Sequence, residues 1–269
     1  MRRSRLSVYV ASLLLAVGTA LTGAVTAQAS DTAAIGGYVA LGDSYSSGLG
    51  AGSYDASSGD CSRSTKAYPY LWAAANSPSS FAFTACAGAR TSDVTASQLG
   101  PLNSSTALVS ITIGGNDAGF SDIMTTCVLQ SDSACVSRIN TAKAYVDSTL
   151  PGRLDTVYSA IRAKAPSAHV VVLGYPRFYK LGVTGCLGLS ETKRRALNGA
   201  ADYIDAATEK RAVDHGFTFG DVRPTFTGHE LCSGSSWMHS VNWLNIPESY
   251  HPTAAGQSGG YLPVLNAAA

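Results

Sequence analysis

The stretch Tyr38-Val39-Ala40-Leu41-Gly42-Asp43-Ser44-Tyr45-Ser46-Ser47-Gly48 decides the fold. An apolar run of strand type stops at Gly42, and a polar, glycine-bearing turn then carries Ser44 at the point where the strand leaves its sheet. In open α/β sheets the reactive crevice lies at the carboxyl ends of the strands, so a serine directly after the first strand is placed to face a substrate. A serine hydroxyl is a weak nucleophile unless a base takes its proton, and this reading therefore requires a histidine elsewhere in the chain. Gly-Asp-Ser is also a common turn composition, so the later segments carry the decision.

Around that stretch, strand-like and helix-like segments alternate. Residues 38–41, 81–84, 108–113, 169–173 and 217–219 read as strands, each ending in Gly, Cys or a polar turn residue. Residues 68–76, 92–98, 135–165 with a break near Pro151, 190–215 and a last segment from Pro252 onward read as helices. Such alternation predicts an α/β fold, with a mostly parallel sheet flanked by helices on both faces. Residues 48–67, 174–189 and 225–250 carry little regular signal. Long loops in compact domains are functional or disordered, and the cysteine in each of these three suggests that they are pinned.

The N-terminus reads as an address. Met1-Arg2-Arg3-Ser4-Arg5 is a basic leader, an apolar run follows, and Ala27-Gln28-Ala29 fits a small-residue cleavage site, so residues 1–29 are expected to be a secretory signal peptide that is removed. Residues 30–269 are then a single domain, secreted and extracellular. Losing Arg2, Arg3 and Arg5 takes the 19 basic side chains to 16, against 18 acidic ones. The remaining chain is close to neutral with no basic stripe, which argues against nucleic acid as a partner. Cys61, Cys86, Cys127, Cys135, Cys186 and Cys232 all lie in the exported part, and an even number in an oxidising compartment reads as three disulfides. With no Cys-x-x-Cys and no histidine at ligand spacing, no metal is expected. Six cysteines allow fifteen pairings, among which sequence alone does not choose.

Three further segments support a reactive serine. Ala85-Cys86-Ala87-Gly88-Ala89 follows the second strand, and Gly88 lets the backbone approach a ligand closely and present its N–H. Gly114-Gly115-Asn116-Asp117 follows the third, where the Asn116 carboxamide can donate to a developing oxyanion. Tyr250-His251-Pro252-Thr253 stands near the C-terminus, with Pro252 expected as the first residue of a helix and His251 as the general-base candidate. In this order the four segments resemble the SGNH (GDSL) hydrolase family, with Gly42-Asp43-Ser44 as its first block, Gly88 as its second, Gly115-Asn116-Asp117 as its third and His251 as its last. Within it the pattern looks most like secreted lipases and phospholipases A of streptomycetes.

The resemblance implies a flavodoxin-like three-layer fold, ester hydrolysis through an acyl-enzyme and no cofactor; the chain is expected to be a monomer. Neighbour pairing of the cysteines, Cys61 with Cys86, Cys127 with Cys135 and Cys186 with Cys232, is likewise what it implies. Ser44 would attack the ester carbonyl, His251 would take and return the proton, and the N–H groups of Ser44 and Gly88 with the Asn116 side chain would hold the oxyanion. One position departs from the family. Glu248 stands where an aspartate is usual, three residues before the histidine, so either Glu248 or the main-chain carbonyl of Ser249 orients the imidazole; the carbonyl, fixed by its loop, is favoured. Asp43 and Asp117 are expected to brace loops through hydrogen bonds. His169 reads as a strand-edge residue, His215 as a helix C-terminal residue, and His229 and His239 as loop residues.

The expected substrate is a lipid or other acyl ester, presented by a membrane or micelle surface, with release of the sn-1 acyl chain of a glycerophospholipid or with lipase activity. Leu49, Tyr54, Phe120, Phe178, Tyr179, Leu187 and Trp237 are candidates for an acyl groove. Carbohydrate O-acetyl or short-chain aryl ester hydrolysis is the alternative within the enzyme class, and a catalytically dead secreted binding protein the alternative outside it.

Overall fold

The computed structural model describes residues 36–269; the expected signal peptide, residues 1–29, lies outside the described residues. Strands β1 (Gly37–Gly42), β2 (Phe81–Phe83), β3 (Thr106–Thr112), β4 (His169–Leu173) and β5 (Thr218–Gly220) form one sheet in the order β2-β1-β3-β4-β5, and every pairing in it is parallel. The helices are α1 (Ser44–Ser47), α2 (Tyr68–Asn76), α3 (Thr91–Asp93), α4 (Phe120–Leu129), α5 (Asp132–Ser148), α6 (Leu150–Lys164), α7 (Glu191–Asp214), α8 (Arg223–Phe226) and α9 (Leu262–Ala268). This is the α/β architecture expected from the alternation, a parallel sheet flanked by helices.

A parallel sheet covered on both faces needs apolar residues at successive positions, not at alternate ones. Tyr38, Val39, Ala40 and Leu41 are all buried, as are Val170, Val171, Val172 and Leu173. Trp72 of α2 meets the Tyr38 ring edge-on, and the Tyr38 hydroxyl lies 2.7 Å from Ser110 Oγ on the neighbouring strand. Helices α2 and α9 pack against each other, while α5, α6 and α7 form a second helical group. From β1 the chain moves to one side of the sheet for β2 and to the other for β3, so the crevice at this switch point opens between the ends of β1 and β3. Ser44 follows the first of these strands and Asn116 the second.

The differences from expectation are local. Strand β3 begins two residues earlier than 108, and β5 is displaced by one residue. The helical stretch 135–165 is divided at Thr149, and Pro151 sits in the first turn of α6, where a missing N–H costs nothing. Pro252 does not open a helix: it forms an isolated bridge with Met238, and helical turns begin after Thr253. Helix α4 was not expected at all. Its Thr125, Thr126 and Val128 are weak helix formers and its N-cap, Gly119, offers no capping side chain, so neither propensity nor a start signal marks it.

The cysteines pair as Cys61–Cys86, Cys127–Cys135 and Cys186–Cys232, the neighbour pairing implied by the resemblance. The last of these joins two of the three long irregular segments. Among the described residues no helix is long and apolar enough to cross a membrane.

Candidate active site

At the end of β1, Gly42 takes φ +121°, and a Cβ there would collide with the Thr112 carbonyl oxygen, so glycine is required where β1 leaves the sheet beside β3. Gln98 grips this glycine from both sides: its Oε1 accepts the Gly42 N–H at 2.7 Å and its Nε2 donates to the Gly42 carbonyl at 2.9 Å. Asp43 then caps α1, its carboxylate accepting the Tyr45 N–H at 3.0 Å. Ser44 becomes the first helical residue, and its own N–H has no protein partner among the described residues.

His251 arrives from the far end of the chain. Tyr250 is held at φ +64°, a left-handed conformation that is costly for a bulky residue. Its carbonyl accepts from the Tyr45 hydroxyl at 2.7 Å, and its N–H donates to the His239 carbonyl at 3.0 Å. The resulting turn sets His251 Nε2 2.7 Å from Ser44 Oγ. On the other side of the ring, Nδ1 lies 3.1 Å from the Ser249 carbonyl. A carbonyl can only accept, so the proton sits on Nδ1 and the Nε2 lone pair faces the serine hydroxyl. Burial pushes the imidazole down to about 4, which keeps it a neutral base at neutral pH. The Glu248 carboxylate turns elsewhere and accepts from the Tyr54 hydroxyl at 2.7 Å.

Opposite the serine stand the two remaining expected donors. Gly88 has φ +79°, and its N–H has no protein partner among the described residues. Its turn is tied down by the Cys61–Cys86 disulfide, by the Ala87 N–H donating to the Cys61 carbonyl at 3.1 Å and by the Cys86 N–H donating to the Gly42 carbonyl at 3.0 Å. Asn116 spends one Nδ2 hydrogen on the Ala89 carbonyl at 3.0 Å, which orients the other. Ser44, Gly88, Asn116 and His251 all line one groove that is open to solvent. The structure thus brings together the four residues singled out in the sequence, and it leaves Glu248 apart from the imidazole ring.

The neighbouring aspartates hold loops. Asp117 accepts from Thr91 N–H at 3.0 Å and Thr91 Oγ1 at 2.6 Å. Asp43 accepts from Thr112 Oγ1 at 2.6 Å and from the Tyr175 hydroxyl, and burial pushes its carboxyl up to about 6 against the pull of these hydrogen bonds. Tyr175, Thr112 and Gln98 escaped the sequence reading. Tyr175 had a usable signal, since it follows β4 closely as Ser44 follows β1; Gln98 had none.

Of the expected groove residues, Leu49 and Phe120 line the groove with Ser44 and His251, whereas Phe178 lines a second, apolar pocket that also reaches Ser44. Tyr54 serves Glu248 instead, Tyr179 hydrogen-bonds Tyr250, and Trp237 stacks on His229. Leu187 is exposed and lines neither cavity. Much of the groove wall comes from the unexpected α4. His215 caps the C-terminus of α7 beside Asp155, as its helix-end reading required. His239 does more than occupy a loop: its Nε2 donates to the Gly50 carbonyl at 2.7 Å and its backbone pairs with that of His251. Among the described residues no group of His, Cys, Asp and Glu is placed to hold a metal ion.

Comparison with known proteins adds an independent line. Residues 40–258 match the model of the GDSL-like lipase/acylhydrolase family. The chain is 75% identical to Lipase 1 of Streptomyces coelicolor, over the whole length of both. Among solved structures it is similar to phospholipase A1 from Streptomyces albidoflavus, with 71% identity, a TM-score of 0.86 and coverage of 88% of this chain and all of that one. It is also similar to the extracellular lipase of Streptomyces rimosus, with 67% identity, a TM-score of 0.85 and coverage of 87% and 100%.

Proposed function

The chain belongs to the GDSL-like lipase/acylhydrolase family and is a carboxylic ester hydrolase, and we propose that within it the chain is a secreted phospholipase A, releasing the sn-1 acyl chain of glycerophospholipids through a Ser44–His251 dyad. The observation that carries this reading is the 2.7 Å approach of His251 Nε2 to Ser44 Oγ on the wall of an apolar groove. The phospholipase A1 name of the Streptomyces albidoflavus relative supports the sn-1 choice, and the lipase names of the others support hydrolysis of lipid esters more broadly. Secretion is supported by the N-terminal leader pattern, by three disulfides and by the extracellular character of the Streptomyces rimosus lipase.

In the proposed cycle Ser44 Oγ forms a bond to the ester carbonyl carbon while its proton passes to His251 Nε2. The new imidazolium is held by its Nδ1–H on the Ser249 carbonyl, and the carbonyl π electrons move to an oxyanion facing the Ser44 and Gly88 N–H groups and Asn116 Nδ2. Collapse of this adduct breaks the bond to the glycerol oxygen, which takes the proton from Nε2 and leaves the acyl chain on Ser44. Water then attacks the acyl-enzyme with His251 as base, and the fatty acid departs.

The test is hydrolysis of phosphatidylcholine carrying different sn-1 and sn-2 chains, beside triacylglycerol and p-nitrophenyl butyrate, with Ser44→Ala as control. Ser44-dependent release of mainly the sn-1 chain is expected. Turnover confined to p-nitrophenyl butyrate would reject the lipid reading, and activity surviving in Ser44→Ala would reject the nucleophile.

A further inference from the structure

Leu129, Trp243, Leu244 and Ile246 stand exposed to solvent, Trp243 to 67% and Leu244 to 99%. Three of them, Leu129, Trp243 and Ile246, also line the groove that holds Ser44 and His251. Leu129 ends α4 and the others lie on residues 241–247, so the two walls of one opening each carry apolar side chains out to its rim. Scattered exposed leucines need no explanation, but a cluster around a reactive groove marks an interaction surface. The rim segment is also built. Asn242 Oδ1 accepts from the N–H groups of Leu244 and Asn245, and Ser249 Oγ accepts from the Asn242 N–H at 2.9 Å, which fixes the turn that presents Leu244 outward.

Charge narrows the partner. Residues 241–247, Val-Asn-Trp-Leu-Asn-Ile-Pro, carry no ionisable side chain, and α4 carries one, Asp122. Neither wall supplies a Lys or Arg, the side chains that attract anionic lipid. We propose that this rim is the face by which the protein docks on the surface of zwitterionic phospholipid aggregates. The proposal rests on the lipid-hydrolase reading above. Trp243, amphipathic and at the edge of the groove, sits at headgroup level, Leu244 enters the acyl layer, and an acyl chain passes from the aggregate along the groove to Ser44 without crossing water.

Trp243 provides a direct readout. The other two tryptophans are occupied, Trp72 buried against Tyr38 and Trp237 stacked on His229 at 3.5 Å. Ser44→Ala protein mixed with phosphatidylcholine vesicles is expected to show a blue-shifted emission quenched by brominated acyl chains, and Leu244→Asp on that background to bind at least tenfold more weakly. In the active enzyme, Leu244→Asp is expected to slow vesicle hydrolysis at least tenfold while kcat/KM on soluble p-nitrophenyl butyrate stays within twofold. Unchanged emission, an equal loss on both substrates or preferential binding to phosphatidylglycerol vesicles would overturn the proposal. So would a dimer that Leu244→Asp dissociates, which would assign the face to a second copy of the chain. A wild type that binds these vesicles but cleaves only soluble esters would reject the phospholipase reading and leave the docking face standing.

Discussion

The hydroxyl of Tyr175, just beyond β4, donates to the buried carboxylate of Asp43 and at the same time accepts the Gly115 N–H at 3.1 Å. One side chain thereby joins the turn that carries Ser44 to the turn that carries Asn116. The proposed nucleophile and a proposed oxyanion donor follow different strands, so their spacing depends on such a tie. Tyr175→Phe keeps the ring and removes the tie, leaving a buried carboxylate oxygen and a backbone N–H without this partner. A cost of about 1–3 kcal/mol in stability is expected. Turnover of p-nitrophenyl butyrate should fall about tenfold with KM within twofold, read by steady-state kinetics beside urea unfolding. If the hydroxyl acts through Asp43, the loss should not add to that of Asp43→Asn; additive losses would show two separate roles.

The Glu248 carboxylate is engaged by Tyr54, and the Ser249 carbonyl faces Nδ1. Glu248→Gln is therefore expected to keep kcat within about threefold of the wild type, whereas His251→Ala should lower it by about three orders of magnitude or more. A comparable loss in the two variants would restore Glu248 as a triad member.

Burial holds His251 at about 4, so kcat/KM on a soluble ester should stay level from pH 7 to about 5 and fall only near 4. An acid limb near the ordinary histidine value of about 6.5 would contradict this.

Stability carries the same shift with a definite sign. Between about 6.5 and 4 the unfolded chain binds a proton at His251 that the folded state refuses, so this contribution is lost as pH falls. Asp43 runs the other way: its folded carboxyl, at about 6, binds the proton more tightly than the unfolded one, so its contribution is lost as pH rises through 6. The two slopes oppose each other between 4 and 6. Replacing His251 by Ala should expose the Asp43 slope, and the wild type should lose about 1.4 kcal/mol per pH unit relative to the variant on acidification across that window. Urea unfolding of both proteins at pH 4, 5 and 6 measures the difference.

The Cys61–Cys86 bridge ends two residues before Gly88. Replacing both cysteines with Ser should cost about 3 kcal/mol in stability and should also lower kcat, because the Gly88 N–H loses its anchor. The double Ser replacement of Cys186 and Cys232, which lie outside the groove, is expected to cost stability alone. Kinetics at a temperature where both variants stay folded separates the two effects.

Ser44, Gly88, Asn116 and His251, which the fold gathers on one groove, could be singled out from the chain because each sits in a short segment with a local signal: a serine after a strand end, a turn glycine, an amide after a strand and an imidazole before a proline. The strand and helix order was legible for the same reason, since buried parallel strands are continuous apolar runs of a few residues. Other features depend on contacts between residues far apart in the chain. Gln98 on the Gly42 backbone, Tyr175 on Asp43 and Tyr45 on the Tyr250 carbonyl are separated by 56, 132 and 205 positions, and no local pattern announces such pairs. Helix α4 was invisible because its residues are poor helix formers that are stabilised by packing against α5 and by the Cys127–Cys135 bridge. The choice between Glu248 and the Ser249 carbonyl likewise waited on the fold: both lie within three residues of His251, and it is the left-handed turn at Tyr250, with Tyr54 drawing the glutamate away, that gives Nδ1 to the carbonyl.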